Sequence, residues 1–143
     1  MWTGLLTVVI VLTITAVAGV VYRRRSGVLR VQPAPVGEPD DHRLTADELG
    51  APLGSTATLV HFSSAFCQPC RATRGVLGRA ADTVDGVAHV EVDAEANLEL
   101  VRRLKIMRTP TVLVLDPYGR IVRRASGQPR LADVVAVLGA VRA

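Results

Sequence analysis

The sequence predicts an α/β domain built on a mixed central sheet. The element order is β-α-β-α-β-β-α, with helices flanking the sheet and one transmembrane helix ahead of it. Three observations carry this. Residues 2–22, WTGLLTVVIVLTITAVAGVVY, contain no charged side chain. Short apolar or alternating runs at 57–62, 87–92, 111–115 and 120–125 have the length and pattern of strands. Residues 67–82, 94–105 and 131–141 carry apolar side chains at mostly helical spacing.

The N-terminal run comes first. Residues 2–22 as a helix span about 31 Å, the thickness of a bilayer's hydrocarbon core. Trp2 and Tyr22 bracket it, as interfacial aromatics do. A buried helix this long and apolar on all sides is hard to cover in a chain of 143 residues. A cleaved signal peptide is the stronger rival, because Ala16-Val17-Ala18 resembles a cleavage site. No Lys or Arg precedes the run, and it is long for a signal segment, so the expectation is an uncleaved anchor over 1–22. Arg23-Arg24-Arg25 follows directly. The positive-inside rule then gives a single-pass membrane protein with its C-terminal portion in the cytoplasm. The same arginines suit anionic headgroups.

Residues 23–56 are expected to form a juxtamembrane tether. The stretch 26–43, SGVLRVQPAPVGEPDDHR, mixes Pro, Gly and charge without apolar periodicity, and His42 within it has no assigned role. A short helix is expected near 44–50, with Thr45 capping, Asp47 and Glu48 in the first turn, and Gly50 ending it. The folded domain is expected over 57–143. ATLVHF, 57–62, suits a buried strand, and a helix begins near residue 67. VAHVEV, 87–92, alternates as a second strand. Over 94–105, Leu98, Val101 and Leu104 share one helical face, and Asp93 is placed to cap it. TVLVL, 111–115, is the third strand, Asp116–Gly119 a turn, and RIVRRA, 120–125, the fourth. Residues 131–141 close the chain as a helix. The first two strands flank a crossover helix and are predicted parallel; the last two form an antiparallel hairpin.

The net charge of +4 is small and dispersed, and two Phe, two Tyr and one Trp give little for base stacking, so nucleic acid is excluded as a partner. The two cysteines are Cys67 and Cys70, in FCQPC. At a strand–helix junction, Cys67 occupies the helix N-terminus, where unpaired N–H groups and the helix dipole stabilise a thiolate. A lower thiol pKa makes it the attacking group. Cys70 lies one turn further in, close enough for a disulfide and shielded from solvent. Pro69 suits the first turn because it has no N–H to leave unpaired.

At this point the chain resembles the thioredoxin family, over residues 57 to about 141. The resemblance rests on FCQPC at 66–70, RTPT at 108–111, VEVDA at 90–94 and Gly127 in ASGQ. It implies a cis bond between Thr109 and Pro110 facing the cysteine pair, with the Thr109 backbone pairing with an extended substrate segment. By the same resemblance Phe66, Pro69, Thr109, Pro110 and Gly127 form the substrate-binding surface. Several positions depart from the family pattern. Phe66 stands for the usual Trp, Gln68-Pro69 for Gly-Pro, and Gly75 for a helix-kinking proline. His61 stands at the buried Asp and His89 at the neighbouring Lys. These departures bear on redox potential and proton transfer, not on the fold. His61 is accordingly a candidate base for the Cys70 proton, set against a packed strand histidine with a satisfied hydrogen bond; His89 is expected to be structural.

The expected function is a membrane-tethered thiol–disulfide oxidoreductase, a protein-disulfide reductase. Cys67 and Cys70 are its catalytic pair and the dithiol its own redox group, with no separate cofactor. The expected partners are a membrane-proximal protein disulfide substrate, a separate electron donor, and the membrane itself through residues 2–22. No metal is expected, since nothing sets His61 and His89 at a zinc spacing. A static disulfide would close a tiny loop and constrain the unfolded chain little. The remaining alternative is a non-catalytic or electron-relay module docking one fixed membrane partner.

Overall fold

The structure, a computed structural model, describes residues 2–25 and 43–142; in the first stretch, side chains are described at position 4 and over 6–22. The expected tether over 26–42, including His42, lies outside the described residues.

Helix α1 runs Trp2–Arg25. Among the described residues, no helix is long and apolar enough to cross a membrane. The transmembrane helix predicted from sequence is therefore not supported by this structure.

The domain is a four-stranded sheet in the order β2-β1-β3-β4. The strands are β1 (Ala57–Ser63), β2 (Val87–Asp93), β3 (Thr111–Leu115) and β4 (Ile121–Ser126). β1 pairs parallel to β2 and antiparallel to β3, and β3 pairs antiparallel to β4. The helices are α2 (Ala46–Leu49), α3 (Gln68–Thr83), α4 (Leu98–Arg103) and α5 (Leu131–Arg142). The predicted order and both pairing senses match.

Every residue of β1 and β3 is buried, because helices or loops cover both faces. This is why their sequences are nearly continuous apolar runs, whereas the edge strand β2 alternates. On one face, Ala57, Leu59, Val112 and Val114 pack against Val76, Leu77 and Ala80 of α3 and Val134 and Leu138 of α5. On the other, Val60, Phe62, Leu113 and Leu115 pack against Leu44, Leu49, Leu104 and Ile106. Each fully buried Leu or Phe in these layers contributes about 1.5–3 kcal/mol.

Two expectations change. The sequence pattern predicts a domain that starts at residue 57, yet Leu44 is fully buried within the core and Leu49 nearly so. Arg43 bridges to Arg120, and the Leu44 N–H donates to the Gly119 carbonyl at 2.9 Å. Gly119 has φ +82°, and a Cβ there would meet the Leu44 oxygen at 2.1 Å, so this docking needs glycine. Residues 43–56 are thus part of the folded unit. The short helix there is as predicted, with a Thr45/Glu48 capping box and a left-handed Gly50.

The second change is in α4. It covers only Leu98–Arg103, with Asn97 rather than Asp93 at the N-cap. Asp93 ends β2, and its carboxylate accepts the Glu95 N–H at 2.9 Å in a local turn. The chain leaves the sheet through that turn, so Leu98 falls outside the core and is 53% exposed, while Leu104 is buried.

Candidate active site

The site forms where β1 ends and α3 begins. β1 carries the chain out of the core to Ser63, and a short loop turns it into α3. Cys67 is the N-cap residue, with extended backbone at φ −88° and ψ 95°, and Pro69 lies in the first turn. The Cys70 N–H donates to the Cys67 carbonyl at 3.1 Å. Cys67 and Cys70 are joined as a disulfide, with Cα atoms 5.2 Å apart. Cys67 is half-buried and Cys70 is 2% exposed. One sulfur therefore borders solvent at a helix N-terminus, and the other faces the core.

Of the residues singled out as substrate-binding, Thr109 and Pro110 precede β3 and Gly127 follows β4, at the end of the sheet where β1 stops. Phe66 is 99% exposed, directly before Cys67. The Thr109–Pro110 bond is cis. The Ser64 and Thr109 hydroxyls hydrogen-bond at 3.1 Å, which ties the cysteine loop to the proline loop. The Gly127 N–H donates to the Pro110 carbonyl at 2.7 Å, and Gly127 itself has φ +94°. Pro69 is exposed and Pro110 buried.

Next to the disulfide lies an open depression of about 510 Å³, bordered by Ser64, Cys67, Cys70, Arg74, Glu91 and Asp93 among others. Arg74 of α3 grips Glu91 of β2 through two hydrogen bonds, 2.6 and 2.8 Å. This bidentate grip, chiefly, holds the Glu91 carboxyl down to about 2, with help from the Ser63 hydroxyl. This ion pair is not legible in the sequence alone. Its signal was the alternation of VAHVEV, which puts Glu91 and His89 on the α3-covered face of β2, but the partner is fixed only by the strand register.

His61 lies beneath α3. Alternation along β1 puts it on the face of Ala57 and Leu59, opposite Val60 and Phe62. It is fully buried, and among the described residues neither ring nitrogen has a hydrogen-bond partner. The His89 ring lies stacked with it, centroids 6.3 Å apart and planes 20° apart. His89 is half-buried, and its Nε2 also lacks a partner. Burial pushes the His61 pKa down to about 4; Glu91 opposes this and His89 and Arg74 add to it. Burial lowers His89 as well. Among the described residues, no group of three or more His, Cys, Asp or Glu is gathered to hold a metal ion.

A depressed histidine makes stability fall with acid. The unfolded chain, with His61 near 6.5, takes up a proton that the native state refuses. Stability is therefore whole above about pH 6.5 and is lost toward pH 4, by up to about 3 kcal/mol for a shift this size. His61→Leu removes the site's proton uptake and is expected to flatten this slope in denaturant titrations at pH 7, 5.5 and 4.5. An equal acid loss in wild type and variant would contradict the burial of a neutral His61.

With the geometry in hand, the chain can be set beside known proteins. No curated protein sequence matches it. Solved structures that resemble it include a chloroplastic thioredoxin z, 24% identical over 61% of this chain and 79% of that one, with a TM-score of 0.55. A mutant thioredoxin from Halobacterium salinarum is 18% identical over 62% and 77%, with a TM-score of 0.57. Thioredoxin f from spinach chloroplast is 21% identical over 63% and 80%, with a TM-score of 0.55. At these identities the likeness establishes the fold. The family model described as thioredoxin matches residues 44–140, beginning at the buried Leu44 rather than at β1. The chain belongs to the thioredoxin family.

Proposed function

We propose that the protein is a thiol–disulfide oxidoreductase that reduces protein disulfides through Cys67 and Cys70. The observation that carries this is the asymmetry of the pair: Cys67 half-buried at the N-cap of α3, Cys70 buried one turn inward. The Cys67 thiolate attacks a substrate disulfide, forms the mixed disulfide and releases one substrate thiolate. Cys70 loses its proton and attacks Cys67 Sγ, which breaks the mixed disulfide. The second substrate thiolate leaves and takes a proton from solvent. The substrate gains two electrons and the Cys67–Cys70 disulfide forms. A separate dithiol or equivalent donor returns the pair to the reduced state.

Phe66, Pro69, Thr109, Pro110 and Gly127 are the surface on which an extended substrate segment would lie; support comes from the exposure of Phe66 and Pro69 around Cys67 and from the Ser64–Thr109 bond that ties the proline loop to the cysteine loop. His61, buried on the α3-covered face of β1, is the candidate base for the Cys70 proton. It is neutral near pH 7 and faces the underside of α3.

The finer reading adds a membrane tether through residues 2–22, with the domain on the cytoplasmic side. Its support is the uncharged sequence 2–22, the continuous α1 backbone of 24 residues, and Arg23–Arg25 immediately after the run. A tether through 26–43 would hold the domain within a few tens of ångströms of the bilayer and raise its effective concentration toward disulfides there.

Two experiments follow. In insulin reduction with a chemical reductant, the wild-type domain is expected to turn over. Cys70→Ser is expected to accumulate mixed disulfides through Cys67, and Cys67→Ser few; equal trapping by both would contradict the assignment of nucleophile. A wild type that binds substrates without turnover favours the electron-relay module. For topology, a membrane-impermeant thiol reagent on intact cells is expected to spare the reduced Cys67. Labelling from outside would overturn the cytoplasmic placement.

A further inference from the structure

The segment 102–108, RRLKIMR, runs straight into the Thr109–Pro110 loop. The chain's net charge is small, but here the fold concentrates it. The Arg124 guanidinium reaches from β4 to the Leu104 carbonyl. The Arg108 guanidinium donates at 3.2 Å to the carbonyl of Ser126, the residue before Gly127. Arg102, Lys105 and Arg108 are exposed, and Met107 between the last two is 89% exposed. Among the described residues the ion pairs are Arg74–Glu91, Arg103–Glu48 and Arg120–Asp116. Glu48 thus neutralises Arg103, whereas Arg102, Lys105, Arg108 and Arg124 have no carboxylate partner among the described residues.

Helix chemistry explains part of this. Cations at a helix C-terminus offset its dipole, which accounts for Arg102 and Arg103 in the last turn of α4. It does not account for Arg108 and Arg124, which lie outside the helix, nor for Lys105. Among the described residues, Lys105 is the one non-glycine residue with positive φ, 51°. Its N–H donates to the Arg102 carbonyl at 3.1 Å, and the Ile106 N–H donates to the Val101 carbonyl at 2.9 Å. This is the helix-ending pattern in which glycine sits at the left-handed position without steric cost. A lysine there costs stability for a side chain that the fold does not use.

We propose that Arg102, Lys105, Arg108 and Arg124 form a cationic rim beside the proline loop that selects protein disulfides flanked by acidic residues. This rests on the reading of the protein as a protein-disulfide reductase. The rim adjoins the loop that would receive the substrate segment, so the groups opposite it during exchange are the substrate's own side chains near its cysteine. Carboxylates fit them. Arg108, held on the Ser126 carbonyl, keeps further N–H donors for a carboxylate, and Lys105 adds a mobile point charge. The rim is solvent-exposed, so it acts chiefly on encounter and weakens as salt rises. Beside the cysteines, the depression sets Arg71 and Arg74 against Glu91 and Asp93, a balanced set of charges. The preference for acid therefore comes from the proline-loop side alone.

The test uses the pre-reduced full chain in a nonionic detergent and a set of peptides with one internal disulfide. The peptides are alike except for a flanking run of Glu, of Gln or of Lys. Acid quench and chromatography give the second-order rate constant for reduction of each. Wild type is expected to favour the Glu peptide over the Gln peptide about tenfold at about 20 mM salt, and less than about twofold at about 0.5 M. The Lys peptide should be slower than the Gln peptide. Lys105→Gly and Arg108→Gln are each expected to lower the Glu-to-Gln ratio about two- to threefold. Lys105→Gly should also melt a few degrees higher than wild type, because glycine suits the left-handed backbone. A higher melting temperature with an unmoved ratio would make Lys105 a cap residue only and take it out of the rim. Equal wild-type rates on the Glu and Gln peptides at low salt would overturn the rim and leave the oxidoreductase reading intact. Equal rates, together with Arg108→Gln binding phosphatidylserine vesicles less than wild type does and phosphatidylcholine vesicles equally, would assign the rim to anionic lipid and overturn the proposal. A wild type that reduces none of the peptides would overturn both readings.

Discussion

The arrangement depends on one constraint: β1 is buried along its whole length and on both faces. A strand so placed must exit the core at its end, and it does so at Ser63. The exit is a turn into α3, and α3 must lie back across β1 and β2 to cover Leu59 and Ala57. Cys67 therefore stands where the chain emerges, at a helix N-terminus with its dipole and unpaired amides. Cys70 follows by helical geometry and faces the interior. The chemistry of the pair is a consequence of how the sheet is covered.

The same constraint sets the proline loop. β3 runs antiparallel beside β1, so its beginning lies next to the end of β1. That is why Thr109, far away in sequence, meets Ser64 through a 3.1 Å hydroxyl contact. Gly127 closes the arrangement from the end of β4, through its bond to the Pro110 carbonyl. Three separate chain segments are brought to one rim because three adjacent strands start or stop there. On the β2 side of β1, Arg74 and Glu91 bridge α3 to the edge strand.

Much of this was legible in the sequence, because local pattern was decisive. The apolar runs of β1 and β3, the alternation of β2 and the FCQPC junction need no tertiary information. Alternation also placed His61 opposite Val60 and Phe62. Other features were hidden for physical reasons. Leu44 and Leu49 are core residues in a segment too short for a periodicity to show. Asp93 was read as a helix cap because its carboxylate does cap backbone, but that of a turn. The Arg74–Glu91 pair and the stacking of His61 on His89 depend on register between strands, which no local run encodes. The N-terminal run shows the opposite case: composition alone predicts a spanning helix, yet among the described residues no helix is long and apolar enough to cross a membrane.

In the proposed function the N-terminus of α3 makes Cys67 the reactive thiolate. The direct measurement is the rate of iodoacetamide alkylation of the reduced protein as a function of pH, with the modified residue identified by mass spectrometry. Modification is expected at Cys67 first, with a midpoint clearly below the free thiol value of about 8.5. A midpoint at or above that value, or earlier modification of Cys70, would contradict it.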